Sequence, residues 1–141
     1  ATAERLPRVP RLFLVAVGYA AAVLVAGLVI GLALHGPALG WGDAGWFAAW
    51  VLLAAGSVAA FAVLPFAVAV AFAETRGIRS PWPWPAFGAG LGLAAHGLLR
   101  FTGDPADAVS RLLAFAAAGC VAGLVYWLVA GRRAGAGSRT V

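Results

Sequence analysis

Two histidines are the residues of this 141-residue chain whose type and spacing could do chemistry. His35 and His96 lie 61 positions apart, each within a similar hexapeptide, GLALHG at 31–36 and GLAAHG at 92–97. Imidazoles at matching depths on two helices that run in the same direction could serve as the two axial ligands of one haem iron. The glycine one turn before each histidine would leave room for a flat macrocycle.

A small residue four positions before a histidine is similar to the arrangement by which antenna proteins ligate bacteriochlorophyll. That resemblance covers the two hexapeptides alone and implies bacteriochlorophyll, whereas the axial-ligand geometry would suit haem b. In either case the cofactor would be held by His35 and His96. The alternative is that each histidine lies near a helix end and bonds a backbone carbonyl or water. Because His35 is followed by Gly36 and Pro37, which typically end a helix, this alternative is favoured, and we expect no cofactor.

The composition excludes a soluble enzyme. Hydrophobic residues make up 63% of the chain, charged residues only 11%, and the mean hydropathy is +0.94. A soluble domain is about 45–50% apolar and about 25% charged. All ten basic residues are arginines at the ends of apolar runs, so no nucleic-acid patch is predicted. The single cysteine rules out a CxxC metal site, and no catalytic arrangement of Ser, His, Cys or Asp is found, so we expect neither a metal nor catalysis.

Four apolar segments are each about as long as a membrane-crossing helix, which needs about 20 apolar residues. They predict one all-α domain over 1–141, with short tails at 1–10 and 132–141. Asp107 and Arg111 are spaced to pair on one helix face at the membrane interface. The four predicted transmembrane helices cover about 11–35, 44–74, 84–100 and 105–131.

The arginines predict the orientation of the helices. Eight of the ten lie before the first helix, between the second and third, or after the fourth, so both termini are predicted to be cytoplasmic. This indicates a multi-pass protein of a bacterial inner membrane. Aromatic residues often mark membrane boundaries. Those expected at the cytoplasmic boundary are Trp82, Trp84, Tyr126 and Trp127.

The hexapeptides belong to a longer internal repeat. With a two-residue slip, AAGSVA at 54–59 matches AAGCVA at 117–122. This predicts two tandem helical hairpins related by a pseudo-two-fold axis along the membrane normal. The alternative is coincidence in a chain rich in alanine, glycine and leucine.

Three Gly-x-x-x-Gly motifs predict close helix packing, within the chain or with another subunit, because small residues let helices approach in lipid. In a chain with 19 glycines, such spacings also arise freely. The six residues are Gly27, Gly31, Gly88, Gly92, Gly119 and Gly123.

Residues 123–135 (GLVYWLVAGRRAG) and 76–80 (RGIRS) resemble small uncharacterised four-helix inner-membrane proteins of GC-rich bacteria. The resemblance implies location and topology. Our main hypothesis is a non-catalytic accessory subunit that packs, within the lipid bilayer, against larger subunits of a respiratory or photosynthetic complex. The alternatives are a tetrapyrrole-binding electron-transfer protein that uses His35 and His96, and one half of a dimeric transporter.

Overall fold

The computed structural model describes residues 10–35, 44–99 and 105–133, and this part of the chain is all-helical. The predicted terminal tails and the connections at 36–43 and 100–104 lie outside or almost outside the described residues. The helices are close to the predicted ones. They are α1 (Arg11–His35), α2 (Ala44–Arg76), α3 (Pro83–Leu99) and α4 (Pro105–Val129), with a short 3₁₀ turn at Gly131–Arg133.

Three of these helices are long and apolar enough to cross a membrane: α1, α2 and the Asp107–Val129 part of α4. At about 1.5 Å per residue, the 25 residues of α1 extend about 38 Å and the 33 residues of α2 about 50 Å. Both exceed the hydrocarbon thickness of about 30 Å. The 17 residues of α3 extend only about 26 Å. The chain is a membrane protein.

Large apolar side chains point outwards on every helix. Examples are Leu12 on α1, Leu64 on α2, Leu98 on α3 and Val109 on α4, which are 64–80% exposed. A soluble monomer rarely exposes large contiguous apolar patches, whereas lipid tails solvate such side chains without cost. The outer surface of the helices therefore contacts the lipid bilayer.

The helices pack in the spatial order α2, α1, α4, α3. Helix α1 packs against both α2 and α4, and α3 packs against α4. Among the described helices, α1 is the only extensively packed neighbour of α2. The four helices therefore enclose an open groove, whose floor is α1 and α4 and whose two walls are α2 and α3. We call it the α2–α3 groove.

The turn between α2 and α3 is fixed by a glycine cap. Gly77 has a φ of +61°, a left-handed conformation that glycine adopts without steric cost. The Ile78 N–H donates to the Ala73 carbonyl at 2.9 Å, and the Gly77 N–H donates to the Glu74 carbonyl at 3.3 Å. This is the Schellman arrangement, which satisfies the last carbonyls of a helix. Prolines then fill the first turn of α3, where a backbone N–H is not needed.

Candidate functional site

The contact between α3 and α4 depends on glycines. A Cβ atom added to Gly88 would lie 2.8 Å from the Gly119 carbonyl carbon, and one added to Gly119 would lie 2.6 Å from the Gly88 carbonyl carbon. Carbon atoms in contact normally lie about 3.5–4.0 Å apart. The same close approach to the opposite backbone holds at Gly92 and Gly123. The two helices are therefore in backbone contact over at least one full turn.

The contact between α1 and α2 is made at the third Gly-x-x-x-Gly motif, Gly27 and Gly31. A Cβ atom on Gly27 would lie 2.7 Å from the Val51 carbonyl oxygen. One on Gly31 would lie 3.1 Å from the Val51 side chain and 3.3 Å from the Phe47 ring. All six glycines that the sequence singles out for helix packing thus lie in interfaces inside this chain.

Sequence reasoning missed the glycine that joins α1 to α4. A Cβ atom on Gly18 would lie 3.0 Å from the Tyr126 ring and 3.2 Å from Ala130. Gly18 is followed at four-residue intervals by Ala22 and Ala26, which are also buried. The available signal was this run of small residues, which promotes helix contact in lipid as Gly-x-x-x-Gly does.

A polar contact, also missed from the sequence, ties three helix ends together. At the start of α1, the Arg11 guanidinium donates to Glu74 Oε1 through Nε at 2.8 Å and through Nη2, and Nη1 donates to the Ala130 carbonyl at 2.6 Å. Glu74 is near the end of α2, and Ala130 directly follows α4. The last carbonyls of a helix carry partial negative charge, so a cation is favourable there. Local spacing favours Arg76 and Arg79 as partners of Glu74, whereas Arg11 is 63 residues away.

A second ion pair lies on α4. Arg111 and Asp107 are in contact at 3.9 Å, which confirms the pairing predicted from their spacing. The Arg111 side chain is 18% exposed, and that of Asp107 is 70% exposed. The charge of this mostly buried arginine is therefore balanced within its own helix.

The α2–α3 groove ends at four aromatic rings, one from each helix. The ring centroids of Tyr19 and Phe66 lie 4.5 Å apart, those of Phe66 and Tyr126 4.7 Å, and those of Tyr126 and Trp84 4.6 Å. We call these four residues the aromatic row. Trp84 and Tyr126, which the sequence predicts at the cytoplasmic membrane boundary, are 5% and 1% exposed. Their rings pack between helices because small residues opposite them leave space.

The α2–α3 groove is a cavity of about 490 Å³. Ligand-binding pockets commonly measure about 300–1,000 Å³. Its floor is made of small residues such as Ala26 and Ala118, and its walls carry larger side chains such as Phe61 of α2 and Leu91 of α3. The groove is almost wholly apolar, which suits a hydrophobic occupant. No local sequence pattern predicts the groove, because it arises from the distance between α2 and α3.

The histidines lie outside the groove lining. The His35 ring, at the end of α1, lies 4.7 Å from the Trp50 ring and 5.4 Å from the Trp46 ring, centroid to centroid, both on α2. The His96 ring of α3 lies 5.6 Å from the Phe115 ring of α4.

The chain matches no family model, no curated protein and no solved structure. The resemblance to small inner-membrane proteins therefore stays a prediction, as does shared ligation of a tetrapyrrole by the two histidines. A visible absorption spectrum of the purified protein tests the second prediction. A Soret band that disappears in both His35→Ala and His96→Ala would support ligation, and a spectrum without such a band would contradict it.

Proposed function

We propose that this protein is a non-catalytic accessory subunit of a larger membrane-protein complex, and that α2 is its docking helix. The observation that carries the proposal is a face of α2 made of small exposed residues. Three small-x-x-x-small pairs follow one another at intervals of 11 residues. They are Gly45 and Ala49, Gly56 and Ala60, and Ala67 and Ala71, here called the small-residue stripe.

The spacing of the stripe keeps its residues on one side of the helix. Successive members are separated by four and seven residues in alternation, which is about one turn and two turns. An 11-residue period corresponds to about 3.67 residues per turn and favours a right-handed crossing of helices. Small-x-x-x-small pairs also favour right-handed crossings in membranes. The stripe is therefore suited to a single long helix partner.

This stripe is not used inside the described part of the chain. A Cβ atom at Gly45 or Gly56 would have no heavy atom within 4 Å. Helix α2 meets α1 through other residues, including Val51 and Ala55. In the described part of the chain, the closest helix contacts are made at small residues such as Gly27, Gly88 and Gly119, so the exposed set on α2 favours a helix of another subunit as partner. A respiratory or photosynthetic complex of a bacterial inner membrane would provide such helices.

The proposal includes the arrangement of the chain in the membrane. We propose that α3 also crosses, so that the helices form two tandem hairpins with both termini in the cytoplasm. In support, α1 packs on α2 and α3 packs on α4. The pairs Gly27/Gly31 and Gly88/Gly92 occupy matching positions of the repeat, and both face the next helix in the chain. A pseudo-two-fold axis along the membrane normal would relate the hairpins. Such an axis relates the α1–α4 contact to the position between α2 and α3, where this structure has the open groove in place of an extensive contact.

A bulky residue on the stripe tests the docking helix. Gly56→Ile places a branched side chain on the stripe, and Gly90→Ile is its matched control on α3. Both glycines are exposed and have nothing within 4 Å of an added Cβ, so neither change disturbs the packing inside the chain. Membranes solubilised in a mild detergent are separated on a native gel, and the protein is detected by an epitope tag.

We expect the wild-type chain and Gly56→Ile to migrate differently. The wild type and Gly90→Ile should run in an assembly much heavier than the 14.2 kDa chain, together with other subunits identified by mass spectrometry. Gly56→Ile should run at the position of the free chain. Migration of the wild type as a monomer or homo-oligomer would refute the accessory function. Equal migration of the two variants would refute the role of α2.

A further inference from the structure

Two arginines at one end of the bundle fold back towards the membrane-crossing part of their helices. The Arg76 guanidinium carbon lies 5.0 Å from the centre of the Phe72 ring, one turn earlier in α2. The Arg132 guanidinium carbon lies 6.0 Å from the centre of the Trp127 ring, and its Nε–H donates to the Leu128 carbonyl at 2.9 Å. Arginines near the ends of membrane helices usually extend towards water instead. Both guanidinium groups are therefore held close to the apolar surface of the bundle.

The apolar surface beneath these guanidinium groups faces lipid. Phe72 is 52% exposed and Leu128 is 49% exposed, each on a helix long and apolar enough to cross a membrane. Trp82, between α2 and α3, is 81% exposed. Exposed aromatic residues of this kind are typical of the interface between membrane and water. The two arginines therefore lie where the lipid-facing surface ends, at the depth of the phospholipid head groups.

Helices α2 and α4 end at the same level of the bundle. The Arg11 guanidinium bonds both Glu74, near the end of α2, and the Ala130 carbonyl, directly after α4. In addition, the Trp127 Nε1–H donates to the Arg79 carbonyl at 3.0 Å, so the turn after α2 lies against the last part of α4. The two arginines that fold back therefore belong to one end of the bundle, although they come from distant parts of the chain.

The described part of the chain does not balance the positive charges of Arg76 and Arg132. Both side chains are exposed, and neither pairs with a carboxylate among the described residues. Glu74, two residues before Arg76, is bonded to Arg11. The Leu128 carbonyl accepts only the Nε–H of Arg132, which leaves the two Nη groups of that guanidinium as donors. Guanidinium N–H groups are well suited to phosphate oxygens, with which they form strong charge-assisted hydrogen bonds.

We propose that this end of the bundle binds the head groups of anionic phospholipids through Arg76 and Arg132. The lipid phosphate accepts hydrogen bonds from the guanidinium groups, and the acyl chains lie along the exposed apolar faces that carry Phe72 and Leu128. The Trp127 ring holds the Arg132 guanidinium in place through a cation–π contact. Charge complementarity favours a lipid with net negative charge over phosphatidylcholine, whose choline group offsets its phosphate. This surface goes beyond the accessory role proposed above and does not depend on the small-residue stripe.

Native mass spectrometry of the purified full chain in detergent tests the surface, because it counts bound lipids and gives the Kd of the first. The probes are phosphatidylglycerol and phosphatidylcholine with the same acyl chains. We expect the wild type to bind phosphatidylglycerol about 25-fold more tightly, about fivefold for each arginine. The double variant Arg76→Gln/Arg132→Gln should bind the two lipids equally. Its matched control, Arg5→Gln/Arg8→Gln, also removes two positive charges and should keep the wild-type preference. Circular dichroism and gel filtration confirm that each variant is folded.

Three results would overturn the proposal. The first is an equal Kd of the wild type for the two lipids. The second is an equal preference for phosphatidylglycerol in the two double variants, which would mean that net charge alone attracts the lipid. The third is displacement of phosphatidylglycerol by glycerol 3-phosphate at similar concentrations, which would indicate a site for soluble anions. Since lipid binding is measured on the purified chain, none of these results bears on the migration of Gly56→Ile.

Discussion

Replacing Gly88 by alanine should destabilise the protein by about 2 kcal/mol. The new Cβ would lie 2.8 Å from the Gly119 carbonyl carbon, about 1 Å closer than carbon atoms normally approach. Because the obstacle is helix backbone, it cannot rotate away, and α3 and α4 must separate. Overpacking of this kind costs about 1–3 kcal/mol, and we take about 3 kcal/mol because helix backbone cannot move aside as a side chain can. Alanine regains about 1 kcal/mol through its higher helix propensity, so the net loss of stability is about 2 kcal/mol.

Gly90→Ala is the matched control, because Gly90 lies on the same helix and an added Cβ there meets nothing within 4 Å. It should leave stability unchanged or raise it by up to about 1 kcal/mol. The assay is reversible unfolding in mixed micelles of increasing SDS content, followed by circular dichroism. The two variants should differ by about 2–3 kcal/mol in the free energy of unfolding. Equal stabilities of Gly88→Ala and Gly90→Ala would show that α3 and α4 are not in backbone contact at Gly88.

Three further changes have defined outcomes. Glu74→Gln removes the charge that faces Arg11 and should lower the free energy of unfolding by about 1 kcal/mol in the same micelles, because both side chains are only about one-third exposed. An unchanged value would show that the ion pair contributes nothing. Gly77→Ala should cost about 1 kcal/mol at φ +61°, and Gly77→Asn less; equal costs would argue against a left-handed cap. In a Cys120→Ala background, Ser80→Cys should react with a membrane-impermeant maleimide in inside-out vesicles but not in intact cells. The opposite pattern would refute cytoplasmic termini.

The sequence predicts the helices well because their causes are local. Charge-free apolar runs in lipid must form helices to satisfy their backbone groups, and the predicted start of α2 at 44 and end of α1 at 35 agree with the structure. The end of α2 falls two residues later than predicted, at Arg76, because the Gly77 cap fixes it there. The sequence Arg76–Gly77 is a local signal for this helix end, because a glycine after a basic last turn typically caps a helix, and the predicted end at 74 did not use it.

Residues that the internal repeat matches do not always make equivalent helix contacts. In the alignment of 54–59 with 117–122, Gly56 corresponds to Gly119. The structure places Gly119 against Gly88 but leaves Gly56 facing outwards, and it is Ala55 that meets Gly27. A shift of one residue turns a helix by about 100°, so similar sequences present different faces. The same limit applies to the groove, which depends on how far apart α2 and α3 lie.

The contact from Arg11 to the Ala130 carbonyl constrains the order in which the helices can assemble during synthesis. Its two ends are 119 residues apart, so the guanidinium leaves the ribosome long before its acceptor exists. At about 5–20 residues per second, the delay is roughly 6–24 s. Glu74 is synthesised 63 residues after Arg11, so the bond between α1 and α2 can form before the bond to the end of α4. Closure of the bundle by this bond therefore has to wait until residue 130 has been synthesised, and a nascent chain released earlier would lack the bond between the start of α1 and the end of α4.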